Sequence, residues 1–215
     1  FFSNKYAKDQ NKVIFAAVDC TGHGVPGAFM SMIGMEKLKD AIEESSSPGD
    51  ILKHLNLGVK GAFRQSGDNF NATRDGMDLS LCTLPIIQNG ENKITIDYAG
   101  ANSPMWVINN TTKALTEYKA TKCSIGGLTP DEQIFENHQI ELQKDDIFYL
   151  FSDGFADQFG GQNSKKLMTK NFKDLLVSIN DKTLKEQKNY LAEFFDTWKG
   201  EHEQIDDILV IGVKV

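Results

Sequence analysis

The 215-residue chain carries 30 acidic against 23 basic side chains, a formal charge of −7, with 40% hydrophobic and 25% charged residues. These are the proportions of an ordinary soluble globule, and the length suits one domain with a real core. Only two of the basic residues are arginine, Arg64 and Arg74, and no basic stripe is visible, which excludes a nucleic-acid surface and argues against direct docking on anionic lipid.

Residues 13–18, "VIFAAV", form a continuous apolar run rich in β-branched and aromatic side chains, the pattern of a strand covered on both faces. From Pro26 the period changes: Met30, Ile33, Leu38, Ala41 and Ile42 are spaced for one side of a helix, with Gly34 admitting a close neighbour. "SSSPGD" breaks the chain, and Ile51, Leu55, Val59, Ala62 and Phe63 make a second amphipathic helix. "RQSGDNFNATRDGMD" reads as a polar loop. Strands resume with "LSLCTLPII" and "KITIDYAG" around an Asn89-Gly90 hairpin signal, then "MWVI" and "ALTEY" around "NNTTK". "FENHQIEL" leads through an acidic turn into "IFYLF", a second doubly buried run. Thr183 with Glu186 predicts a capping box for a helix striped by Leu184, Leu191, Phe194 and Trp198 and ended at Gly200, and "ILVIGV" is the last strand. Hairpin-joined strands with segregated helices predict an α+β fold, two packed antiparallel sheets flanked by helices, in a single domain over residues 1–215.

Three cysteines, Cys20, Cys82 and Cys123, lie far apart, which points to free thiols in a reducing, cytoplasmic setting rather than a disulfide framework. No apolar run approaches the ~20 residues needed to cross a bilayer. The chain opens on "FFSNKY" without an initiator Met, so it is expected to be the C-terminal part of a longer signalling protein, any membrane anchor lying outside this segment.

Three apolar strands meet a carboxylate at one end: "FAAVDCTG" at Asp19, "FYLFSDG" at Asp153, and "QIDDILVIGV" at Asp206 and Asp207. A lone buried carboxylate costs several kcal/mol, so each is expected to be paired, hydrogen-bonded or on a metal. If the strand ends converge, the result is an all-oxygen cluster suited to Mg2+ or Mn2+ rather than to zinc. Gly22 and Gly154, without Cβ atoms, would let backbone carbonyls approach such ions. Taken singly, Asp-Gly is a common turn and a strand-end aspartate a common cap.

The ordered segments "VDCTGHGVPGAFMSMIG", "ITIDYAGANSPMWVI", "LFSDGFADQFG" and "DDILVIGV" resemble the SpoIIE-like (RsbU-type) bacterial branch of the PPM metal-dependent protein serine/threonine phosphatases, over roughly residues 12–215. That resemblance implies an αββα sandwich holding two Mn2+ or Mg2+ ions that activate water in line with phosphorus. It also implies phosphoserine or phosphothreonine on a partner protein as substrate, such as an anti-anti-sigma regulator of STAS type in a partner-switching pathway. Carried over by position, Asp19 matches the bridging ligand above the Gly22 turn, Asp153 the ligand of the "DG" strand end, and Asp206 the last ligand, with Asp207 as neighbour or substitute. The family's further aspartate, in a Gly-Gly-Asp-aromatic stretch before the first strand, has no counterpart after Phe1, so weaker metal binding by this segment is expected.

Smaller assignments complete the reading. His23 is either a general acid to the leaving oxygen or a turn residue, and Arg74 either grips substrate phosphate or is a solvated loop residue. Asp78 is a candidate to support the ligands, and Cys20, lacking a phosphate-cradling loop, is a packing residue rather than a nucleophile. The helices of residues 26–63 are either plain core or a regulatory pair that switches the site and joins a homodimer. The alternatives to a protein phosphatase are a non-catalytic phosphoprotein-binding domain on the same fold and a small-molecule phosphohydrolase.

Overall fold

The computed structural model describes residues 2–3, 12–22, 24–65, 75–86 and 93–215. In chain order the elements are β1 (Phe2–Ser3), β2 (Lys12–Cys20), α1 (Gly24–Glu44), α2 (Pro48–Phe63), β3 (Gly76–Pro85) and β4 (Lys93–Ala101). They continue with β5 (Met105–Ile108), β6 (Leu115–Tyr118), β7 (Ile125–Gly126), β8 (His138–Gln143), β9 (Ile147–Phe151) and α3 (Gly154–Asp157). The last are β10 (Phe159–Gly160), β11 (Lys165–Lys166), α4 (Thr169–Ser178), α5 (Leu184–Lys199) and β12 (Val210–Lys214). One sheet runs β1-β2-β3-β4-β8 with β7 paired to β3; a second runs β12-β9-β5-β6; β10 and β11 form a small hairpin. All strand pairs are antiparallel.

The two-residue period of the strands sorts their side chains into layers. On β2, Ile14 and Ala16 join Leu79 and Leu81 of β3 beneath α1 and α2, where Met30, Leu38, Leu52 and Leu55 close that core. Val13, Phe15 and Ala17 turn the other way, into a layer between the sheets with Cys82, Tyr98, Val107, Phe148 and Leu150. On β9 the alternate residues Ile147, Tyr149 and Phe151 pack with Trp106 under α4 and α5 against Phe172, Leu176 and Leu191. The order is therefore helices, sheet, sheet, helices: the αββα sandwich expected from the sequence. The apolar runs of β2 and β9 carry no polar face because each is covered on both sides.

Local signals act as the sequence predicts in several places. The Thr183–Glu186 capping box opens α5, and Gly200 follows its end. Gly34 lets α1 approach β3, since a Cβ there would stand 2.5 Å from the Met77 methyl. Pro48 and Gly49 belong to the first turn of α2 rather than to the break before it, in keeping with proline's fitness for that position. The short α3, β7, β10 and β11 and the ten-residue α4 are additional to the predicted elements, although Phe172, Leu175 and Leu176 carry a helical spacing. β12 starts at Val210, so Asp206 and Asp207 stand ahead of the strand in an exposed segment. The Asn89-Gly90 hairpin lies outside the described residues.

Candidate active site

Asp19 is the second-last residue of β2 and shares the inter-sheet face with Ala17 and Phe15. The antiparallel register sets it directly across from Asp78 of β3. Like charges directly opposite destabilise a ladder, so this pair is an electrostatic cost built into the sheet. Asp78 is fixed from behind by the Ser124 hydroxyl at 2.6 Å and the Asn102 amide at 3.0 Å, both donating to its Oδ1. After Asp19 the chain turns through Gly22 and Gly24, with φ of 89° and 68°. Thr21 ties this turn to β3 through its hydroxyl, 3.0 Å from the Gly76 carbonyl and 2.8 Å from the Gly76 N–H. The first turn of α1 packs on it so closely that a Cβ at Gly27 would meet the Gly22 carbonyl oxygen at 2.7 Å.

The other acids come from the second sheet. Asp153 follows β9 and precedes α3; its side chain makes no capping bond to that helix. Asp206 and Asp207 are brought alongside by Ser152. The ladder ends at Val210↔Phe151, and beyond it the Ser152 N–H donates to the Leu209 carbonyl at 3.0 Å. The Ser152 hydroxyl donates to the Asp207 carbonyl at 2.8 Å and accepts from the Leu209 N–H at 2.9 Å. Gly154 is required by the same approach: a Cβ there would collide with the Asp207 carbonyl oxygen and stand 3.3 Å from the Asp206 Cβ.

The acids feel one another. Burial first, then Asp153, Asp206, Asp78 and Asp207 in that order, push the Asp19 carboxyl from 3.8 up to about 6. Asp153 is raised as well, by partial desolvation and then by Asp206, Asp157 and Asp78. Asp206 raises Asp19 more than Asp207 does and raises Asp153 as well. Asp19, Gly22, Ala28, Ser31, Asp206 and Asp207 line a cleft of about 560 Å³ at this end of the sheets. Its described lining contains no lysine, arginine or histidine.

The donor set is therefore all oxygen and strongly negative, the chemistry that fits a hard divalent cation. Asp19, Asp206 and Asp207 line one cleft, which Asp153 and Asp78 do not line, and among the described residues no three His, Cys, Asp or Glu side chains form a group that could hold a metal ion. His23 and Arg74 lie outside the described residues. The cysteines are poor nucleophiles, since burial raises the thiols of Cys20, Cys82 and Cys123, and reactive thiols need the opposite shift. Ser152 and Gln158, which organise the acid-bearing segments, lie in "LFSDGFADQFG" and Asn102 lies in "ITIDYAGANSPMWVI", two stretches that carry the family resemblance, but nothing in either marks these positions for their roles.

The fold has solved counterparts. The SiaA PP2C domain of Pseudomonas aeruginosa superposes with a TM-score of 0.80 at 26% identity, covering 100% of this chain and 79% of that one. The RsbU and RsbW domains of a Mycobacterium tuberculosis protein give 0.70 at 15% identity, covering 100% of this chain and 54% of that one, so the chain spans about half its length. RsbX, in complex with magnesium, gives 0.62 at 15% identity, covering 99% of this chain and 83% of that one. A search of curated protein sequences finds no match. The family model described as stage II sporulation protein E (SpoIIE) matches residues 9–215, and with this architecture and spacing of motifs the chain belongs to the SpoIIE family of PP2C-type phosphatase domains.

Proposed function

We propose that the domain hydrolyses phosphoserine or phosphothreonine on a partner protein, with Asp19, Asp153 and Asp206 holding two Mn2+ or Mg2+ ions. Asp207 and the backbone at Gly22 and Gly154 are the neighbouring donors. The observation that carries this reading is the convergence of acids from both sheets on Asp19, raised to about 6 with no cationic side chain in the described cleft lining. Divalent ions bound there would supply Lewis-acid activation of water and neutralise phosphoryl charge. The chain's own part is to place Asp19, ionised above about pH 6 against the pull of its surroundings, at the cleft, to hold Asp78 across from it, and to fix the segments of Asp153 and Asp206 through Ser152. With every described thiol raised, the reading involves no cysteine intermediate. His23 stays a candidate general acid or a turn residue, and Arg74 a candidate phosphate contact or a solvated loop residue.

A protein substrate is favoured over a free nucleotide by the cleft rim. Val25, Phe29 and Met32 of α1 are 69%, 57% and 70% exposed, on the helix whose Gly24, Gly27, Ala28 and Ser31 line the cleft. These residues suit a docked protein surface, and we assign that surface to a STAS-type anti-anti-sigma partner in the cytoplasm. The M. tuberculosis neighbour, which joins RsbU and RsbW domains in one chain, lends support to a partner-switching context. Met35 and Leu57, exposed further along α1 and on α2, are the proposed homodimer contacts. No helix among the described residues is long and apolar enough to cross a membrane.

The test is release of phosphate from a phosphorylated STAS protein, a phosphoserine peptide and a nucleoside triphosphate, each with Mn2+ and with EDTA. Mn2+-dependent turnover of the protein above the other two supports the proposal. Turnover of the nucleotide alone favours a small-molecule phosphohydrolase. Tight phosphoprotein binding without turnover establishes the non-catalytic alternative, for which the open spacing of the acids is the supporting observation.

A further inference from the structure

The segment 201–207 that delivers Asp206 is exposed along its whole length and belongs to no strand, yet Asp206 lines the same cleft as Asp19, and a Cβ at Gly154, next to Asp153, would stand 3.3 Å from the Asp206 Cβ. Ser152 anchors its far end. Its near end is held by a glutamine that is fully buried, five residues after Asp153. The Gln158 side-chain amide donates to the Glu203 carbonyl at 2.9 Å and to the Phe159 carbonyl at 3.0 Å.

The Gln158 backbone is itself held by three hydrogen bonds. Its N–H donates to the Gly154 carbonyl at 3.1 Å, closing α3. Its carbonyl accepts from the Leu167 N–H at 3.1 Å, and from the Trp198 indole at 3.0 Å. The Gly161 N–H in turn donates to the Trp198 carbonyl at 2.8 Å, and a Cβ at Gly160 would overlap that same carbonyl. A second tie joins hairpin and segment where the His202 ring meets the Ser164 hydroxyl at 3.1 Å. The sequence "DQFGG" thus forms a bracket in which two glycines admit Trp198 and one glutamine reaches across to the acid-bearing segment.

We infer that Gln158 is a positioning residue, fixing segment 201–207 so that Asp206 stays within reach of the ion that Asp153 helps to hold. Besides its bond to Phe159 within the hairpin, Gln158 places a donor on the carbonyl of a solvent-exposed residue 45 positions away, in the segment that carries Asp206. Partners of this kind, one step removed from the ligands, commonly change metal affinity about 10–100-fold when lost.

The inference rests on the reading of Asp206 as a metal ligand, and the test separates the two. Gln158→Met keeps the volume and removes the donor. Mn2+ titration of wild type and variant is followed by the electron-paramagnetic signal of free Mn2+. Amide hydrogen exchange of 203–207 and melting in EDTA are measured beside it. Expected are a Mn2+ dissociation constant raised about tenfold, faster exchange at 203–207, and a melting midpoint close to wild type. Equal affinity in the two proteins, with or without faster exchange, overturns the positioning role. Wild type that takes up no Mn2+ overturns the metal reading instead, leaving exchange to decide whether Gln158 clamps the segment. Should Gln158→Met fail to fold, Trp198→Phe, which deletes the indole donor to Gln158, is read by the same three measurements.

Discussion

Replacing Asp19 by asparagine should make the metal-free protein more stable while ending its activity. At pH 7.5 the folded chain carries an ionised Asp19 that is half-buried and stands among four other acids, and desolvation first and those charges second raise its carboxyl from 3.8 to about 6. Unscreened, that difference corresponds to about 3 kcal/mol of folding free energy. The side chain is only half-buried, and screening reduces the figure to about 1–2 kcal/mol. In a domain of this size the gain is about 3–6 °C in melting temperature. The sign follows from proton binding: between about pH 4 and pH 6 the folded state holds a proton on Asp19 that the unfolded state has lost. This group therefore makes wild-type stability fall as pH rises through that window, and the loss is complete above it. Asp19→Asn lacks that slope. Melting both proteins in EDTA from pH 4 to 7.5, then with Mn2+, tests every step. The variant should melt higher above pH 6 and converge with wild type near pH 4, and Mn2+ should stabilise wild type alone. A variant that melts at or below wild type in EDTA at pH 7.5 would refute the claim that burial and the neighbouring acids make an ionised Asp19 unfavourable.

Other substitutions test the geometry. Ser152→Ala leaves the Leu209 N–H and the Asp207 carbonyl without their hydroxyl partner and should cost about 1–3 kcal/mol in a urea melt, with reduced turnover. Gly154→Ala places a methyl against the Asp207 carbonyl and should weaken Mn2+ binding about tenfold or more while circular dichroism stays native. Phe29→Asp should lower kcat/KM on a phosphoprotein about tenfold, roughly the loss of one good apolar contact, yet leave p-nitrophenyl phosphate hydrolysis unchanged. Thr183→Ala breaks the capping box far along the chain from the acids and should cost about 1 kcal/mol of stability with activity intact.

The architecture was legible because burial on both faces leaves a plain mark. β2 and β9 read as unbroken apolar runs, and the structure covers each with the other sheet on one side and helices on the other. What the strand pattern conceals is pairing. Nothing in either segment alone shows that Asp19 and Asp78 stand in register, since that depends on how β2 and β3 slide past one another. The short elements around Asp153 escaped for a related reason. α3, β10 and β11 span two to four residues each, too few to show a period, and they are held by Gln158 and Trp198 rather than by propensity. α4 was within reach through Phe172, Leu175 and Leu176, but its two lysines and its start after Met168 in a left-handed conformation give no capping signal.

The way the acids are held bears on what they are for. Among the described residues, no salt bridge includes Asp19, Asp78, Asp153, Asp206 or Asp207, although lysines pair with acids elsewhere, the nearest in sequence being Lys166 with Asp157 at 2.7 Å. Their positions are fixed instead by neutral groups: the hydroxyls of Thr21, Ser124 and Ser152 and the amides of Asn102 and Gln158. A lysine in any of these places would stabilise the empty cleft and compete with a cation for the same carboxylates. Neutral donors fix the backbone, and at Asp78 the carboxylate itself, without cancelling its charge. The instability that Asp19→Asn should relieve is, on this argument, the same electrostatic energy that a divalent ion recovers on binding, so the melting gain in EDTA and the loss of Mn2+ stabilisation should appear together in that one variant.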